Sequence, residues 1–151
     1  TTSPRMPGEI HCRDYFFIDD AGFEAMIETG HWLEWARVHG QYYGTSRNFV
    51  ADQLEKGSTL LLDIDVQGAS QIMASGLDPV SVFIMPPSLE ALRCRLENRG
   101  TDAAQTIARR LKNAEQEISR KHMFQYVLVN DDLETASAQL CRIFEKEMAI
   151  K

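Results

Sequence analysis

The sequence contains no apolar run approaching the roughly 20 residues that a membrane-spanning helix requires. Its opening, TTSPRMPGE, is neither an apolar signal core nor an arginine-rich transit helix. Cysteine is scarce. Cys12, Cys94 and Cys141 are odd in number, widely spaced and free of any C-x-x-C pair, which argues against a zinc knuckle or a dithiol redox pair. They read as reduced thiols of a cytoplasmic protein. The four histidines, His11, His31, His39 and His122, share no metal-ligand spacing and accompany no evident nucleophile, so they read as surface or structural residues. There is no repeat, low-complexity tract or long linker, which points to one domain with lobes. An excess of positive charge is also missing: the net charge is −6, which disfavours a nucleic-acid backbone as partner.

The chain does have enough apolar residues for a real core: 44% of its 151 residues are hydrophobic, which suits one compact α/β unit. Aromatic and β-branched content predicts a short strand over 14–18. Phe23, Met26 and Ile27 at helical spacing predict a helix over 20–29 ended by Gly30. WLEWARV (32–38) and QYYGT (41–45) flank His39-Gly40 as a hairpin, and a helix over 47–56 stops at Gly57. The pattern then changes to the continuous apolar runs 59–65, 80–85 and 126–130, with helical segments between them. Such runs predict a parallel sheet covered on both faces. The helices between and after them present Leu89, Leu92 and Leu96 behind a Ser88 cap; Ile107, Leu111, Ala114 and Ile118 behind Asp102 with Gln105 three residues on; and Ala136, Leu140, Ile143 and Phe144 over 133–148.

Ligands of open α/β sheets bind at the carboxyl ends of the strands. Asp63 and Asp65 lie at such an end, where they could hold a metal through water, bond a ligand's amino group, or cap a helix beginning near Val66. Glu34 sits between Trp32 and Trp35, where a carboxylate is costly without a donor. Guanine supplies two adjacent donors, N1–H and the exocyclic amine, and a salt bridge to Arg37 is the alternative. Tyr42, Tyr43 and Thr45 either present hydroxyls to a phosphate or pack in the hairpin. Residues 93–121 carry eight basic against four acidic side chains, a local +4 that leaves −10 elsewhere. This suits a small phosphorylated ligand, or a solvated helix face. Within it Arg95, Arg99 and Arg110 bracket Gly100-Thr101-Asp102, and guanidinium groups match the oxygens of a transferring phosphoryl group.

The order of DYFF, WLEWA, YYGTSR, LLLDIDVQGA, FIMPPSLEALRCRL, RGTD, IARRL and VNDDL resembles the guanylate kinases from end to end. The resemblance implies a P-loop-kinase-type α/β fold. Its parallel sheet would have helices on both faces, and its first, central strand would not be among these residues. A guanylate-kinase-like domain would span 1–151, with a small β-rich GMP-binding lobe over about 10–46 and a lid region over about 88–124. The implied reaction is transfer of the ATP γ-phosphoryl group to GMP, with Mg²⁺ accompanying ATP, in a cytoplasmic monomer or homodimer that binds no nucleic acid and no membrane.

The implied roles follow residue by residue. Tyr15 and Tyr43 would hold the GMP phosphate. Glu34, Thr45 and Asp65 would read guanine, and Asp63 would belong to the Mg²⁺ and phosphate environment. Arg95, Arg99 and Arg110 would be the catalytic lid and phosphate arginines, and Asn130 would line the ATP adenine side. The family carries arginines at the positions of Ser3 and Met6, so Arg5 is the candidate phosphate contact here. No G-x-x-x-x-G-K-[ST] loop occurs in these residues, so by themselves they are not expected to hold ATP productively. The alternative implied by that departure is a non-catalytic guanylate-kinase-like module that binds protein partners.

Overall fold

The computed structural model describes residues 1–38, 40–100 and 103–149. His39, in the hairpin turn, and Thr101 and Asp102, the expected start of a helix, lie outside the described residues. The chain divides into two units, Thr1–Pro79 and Val80–Lys151.

The first unit is organised around aromatic rings. Helix α1 (Asp20–Glu28) starts where the Asp19 carboxylate accepts from Gly22 N at 2.8 Å. It buries Phe23 completely, between Trp32 at 4.3 Å and Tyr42 at 4.9 Å between ring centroids, both stacked. Those rings belong to the hairpin of β1 (Trp32–Val38) and β2 (Gln41–Ser46), an antiparallel pair with Glu34 opposite Thr45 and Ala36 opposite Tyr43. The register shifts between Trp32 and Glu34. A bulge there breaks the in–out alternation, and it explains how two successive residues, Leu33 and Glu34, are both buried. At the turn Gly40 takes φ +97°, a conformation few other residues adopt.

Helix α2 (Arg47–Glu55) is capped by Ser46, which accepts from Phe49 N, and α3 (Val66–Ala74) is capped by Asp65. Leu33, Val50 and Ile72 form the core between them, with Leu60, Leu62 and Ile64 packed against it. Residues 59–65 thus keep the alternation of an extended chain, but they join no ladder among the described residues. The strand expected there is not formed, and Leu61, on the outer side, is 86% exposed. The strand expected at 14–18 is also absent. A turn bridged between His11 and Tyr15 takes its place, and the segment after it is fastened by Thr1, whose terminal amine donates to Phe16 O at 2.8 Å while Ile18 N donates to Thr1 O at 3.0 Å.

In the second unit β3 (Val82–Met85) and β4 (Tyr126–Val129) pair in parallel, Val82 opposite Tyr126 and Met85 opposite Val129. Phe83 and Leu128 point into its core. Helix α4 (Leu89–Asn98) is capped by Ser88 as expected and buries Leu96. Helix α5 (Ala104–Ser119) buries Ile107 and has Ala103 at its cap position with no side-chain cap bond; the expected Asp102–Gln105 box involves a residue outside the described ones. Helix α6 (Leu133–Ala149) begins where Asp132 accepts from Thr135 N at 2.8 Å. It buries Ala136, but Phe144, expected inward, is 52% exposed. Eight residues carry it about 80° round the helix from Ala136.

Candidate active site

The first unit brings Thr45 and Asp65 to Glu34. The bulge turns this side chain inward, and only 4% of it remains exposed. A buried carboxylate needs donors, and Thr45, its partner across the hairpin, donates its hydroxyl to Glu34 Oε1 at 2.5 Å. Burial pushes the Glu34 pKa above its ordinary 4.5, the neighbouring charge of Asp65 adds to the rise, and the Thr45 hydroxyl opposes it. The ion pair with Arg37 that the sequence left open is not formed among the described residues. Positions 34 and 37 fall on opposite faces of a strand. Arg37 instead donates to Gly40 O at 3.3 Å and lies 5.1 Å above the Tyr42 ring.

Of its expected alternatives, Asp65 takes the helix cap. One oxygen caps α3 through Gly68 N at 2.8 Å, the other accepts from Gln67 Nε2 at 3.0 Å, and its charge is felt at Glu34. A helix start beside a carboxylate is electrostatically favourable. On the other side of Glu34, α3 approaches so closely that a Cβ added at Gly68 would run into Glu34 Oε2.

Tyr15 and Tyr43 meet edge to face with centroids 6.2 Å apart. Burial raises the Tyr15 pKa, and Tyr43, Glu9, Asp63 and Asp14 raise it further, so the phenol stays a proton donor at neutral pH. Asp63 is itself exposed and close enough to be felt at Tyr15. Tyr42 packs in the core and donates to Glu24 Oε1 at 3.1 Å. Arg5 turns back onto its own loop, donating from Nε to Glu9 O at 2.5 Å. Among the described residues no three His, Cys, Asp or Glu side chains gather as a direct metal site. An Mg²⁺ that arrives on phosphates and keeps its waters needs only an outer acid, and exposed Asp63 fits that role.

In the second unit Arg95 extends from α4 to the end of β4. Its two terminal nitrogens donate to the carbonyls of Asn130 and Asp131, each at 2.7 Å. Asn130 continues the strand pairing by donating N–H to Met85 O at 2.8 Å. Arg95 and Asn130, predicted separately, thus form one cluster. Arg99 is exposed at the C-terminal cap of α4, followed by Gly100 at φ +64°. Arg110 is half-buried on α5.

Two residues escaped the sequence reading. Gln71 on α3 donates from Nε2 to Trp35 O at 2.7 Å and accepts from Trp35 N at 3.2 Å. Gly68 supplies the close approach to Glu34. The available signal was a glycine in the first turn of a helix, where the intrinsic preference runs against it.

A family model described as guanylate kinase matches residues 1–147. The guanylate kinase of Symbiobacterium thermophilum is 45% identical over 149 residues, covering 99% of this chain and 71% of that protein. That of Novosphingobium aromaticivorans is 44% identical, covering 97% and 67% respectively. The crystal structure of guanylate kinase from Anaplasma phagocytophilum matches with a TM-score of 0.79 and 37% identity, over 97% of this chain and 71% of that one.

Proposed function

This chain belongs to the guanylate kinase family, its reaction is the transfer of the ATP γ-phosphoryl group to GMP giving GDP and ADP, and we propose that its residues divide that work between reading guanine and managing phosphate charge. The observation that carries the reading is the buried Glu34 carboxylate, held by Thr45 and left with further acceptor capacity. Guanine N1–H and its exocyclic amine donate to that carboxylate side by side, with Asp65 assisting. Adenine has no such donor pair on that edge. Tyr15 and Tyr43 donate their phenols to the GMP phosphate, and Arg5, once released from Glu9, is the nearby cation for it.

The acceptor oxygen needs no base. A phosphate monoester has its second pKa near about 6, so the attacking group is already ionised at neutral pH. Catalysis then consists of in-line positioning and electrostatic stabilisation. Arg99 and Arg110 meet the transferring phosphoryl group, and Arg95 supports the turn that presents Asn130 to the adenine side. Asp63 would hold Mg²⁺ through water, and the ion would neutralise charge on the ATP phosphates. Residues 10–46 serve as the GMP lobe and 88–124 as the lid. No helix among the described residues is long and apolar enough to cross a membrane, and we place the enzyme in the cytoplasm as a monomer or homodimer. The non-catalytic, protein-binding alternative is not favoured, because the matched relatives are guanylate kinases.

Glu34→Ala, made like every variant assayed for turnover in a protein that also carries a G-x-x-x-x-G-K-[ST] loop, tests the reading directly. It leaves guanine's two donors unpaired, at about 1–3 kcal/mol for each lost charged hydrogen bond, so the preference for GMP over AMP should disappear in competition kinetics. Unchanged discrimination would reduce Glu34 to a structural residue.

A further inference from the structure

Position 68 is third in α3 and has no left-handed backbone. Alanine is the better helix former there, so conformation gives no reason for glycine. The reason is space. An added Cβ would collide with Glu34 Oε2 and lie 3.1 Å from Glu34 Cδ, and those atoms belong to a buried side chain that has little room to retreat. Three residues later on the same helix face, Gln71 bonds both backbone polar groups of Trp35. It occupies the edge of β1 that faces away from β2, where a third strand would otherwise pair. Helix α3 therefore touches residue 34 by its side chain and residue 35 by its backbone. The Thr45 hydroxyl fixes the carboxylate from the opposite strand.

We propose that Gly68 and Gln71 are specificity-determining positioning residues. The side-chain-free notch at Gly68 and the backbone clamp from Gln71 together hold the Glu34 carboxylate where it can accept both guanine donors. The inference rests on the reading that Glu34 binds guanine. Neither α3 residue touches the nucleotide; both act through Glu34. The arrangement places the choice of base partly in a helix that contributes no atom to the base.

The test is GMP affinity by titration calorimetry and AMP affinity by competition, for the wild type, Gly68→Ala, Gln71→Met, Glu34→Ala and the Glu34→Ala/Gly68→Ala pair, each with a thermal melt. Gly68→Ala should weaken GMP by about tenfold or more and AMP by less than about twofold, with at most a small fall in melting temperature because the gain in helix propensity offsets part of the clash. General destabilisation would not give that split. Gln71→Met, close in volume but unable to bond Trp35, should weaken GMP selectively by about threefold to tenfold, and it decides the matter if Gly68→Ala does not fold. In the Glu34→Ala background, adding Gly68→Ala should change the GMP to AMP ratio by less than about twofold, because residues acting through one another are not additive. If Glu34→Ala leaves the ratio unchanged, the guanine reading fails and takes this inference with it. If Glu34→Ala abolishes the ratio while both α3 variants keep GMP affinity within about twofold of wild type, the α3 seat alone is overturned.

Discussion

The two units solve opposite problems. In Thr1–Pro79 the chemically important group is a single carboxylate, buried, hydrogen-bonded across a hairpin and pressed against a helix. In Val80–Lys151 the groups proposed to meet phosphate are the guanidiniums of Arg99, exposed at the end of α4, and Arg110, half-buried on α5. Discrimination between bases benefits from burial, because a wrong base then leaves polar groups unpaired in a dry site. Phosphate handling benefits from charge that survives in water and from freedom to rearrange, and arginine supplies both. On the proposed reading, recognition is built into a buried site of one unit, while charge management is placed on the helices of the other.

The sharpest way to break this contrast is Arg110→Ala. It should lower kcat by about 10²-fold or more, the scale of lost electrostatic stabilisation, with GMP affinity nearly unchanged. Steady-state kinetics checks it, and a rise confined to KM for GMP would place Arg110 with binding rather than with transfer. A smaller effect is expected in the first unit from Thr45→Val. This variant keeps the shape of the side chain and removes the donor to Glu34, and it should weaken GMP by about tenfold, equivalent to roughly 1.4 kcal/mol. Unaltered affinity by calorimetry would show that Glu34 is held without the hydroxyl.

The smallest effect is one of pH. The folded pKa of Glu34 lies above its ordinary 4.5, so the unfolded chain releases this proton first. Between the two values the folded state binds more protons, and stability falls as pH rises. Glu34→Gln should flatten that limb of the melting temperature against pH. GMP affinity of the wild type should grow through the same window as the carboxylate ionises. An identical pH profile for Glu34→Gln would mean that the carboxylate titrates as it does in water.

Most helices and the hairpin were legible because their signals are local: apolar spacing, the cap at Ser88, the stop at Gly57 and the Gly40 turn. The stretches 14–18 and 59–65 were read as strands from composition, but a strand exists only with a hydrogen-bonded neighbour, and composition does not name the neighbour. The run 59–65 was read as covered on both faces, whereas Leu60, Leu62 and Ile64 pack inward and Leu61 is exposed. Glu34 was legible because a carboxylate between two tryptophans demands an explanation. Thr45 was named for the base, and its bond to Glu34 came only with the hairpin register. Gly68 and Gln71 were not legible, because their significance lies in the distance between α3 and β1, which no local pattern encodes.

The bulge between Trp32 and Glu34 has a genetic consequence. A regular strand tolerates a two-residue insertion or deletion, because side-chain parity is restored, but a bulge stores an odd residue that parity depends on. Trp32 faces Ser46 and Glu34 faces Thr45, so Leu33 is the extra residue, and deleting it would leave Glu34 opposite Thr45 while taking a buried apolar side chain out of the core. Relatives that share this base preference should therefore keep an apolar residue at position 33 as well as the spacing, because that residue belongs to the core, and length polymorphism should be rarer here than in the turn at Gly40.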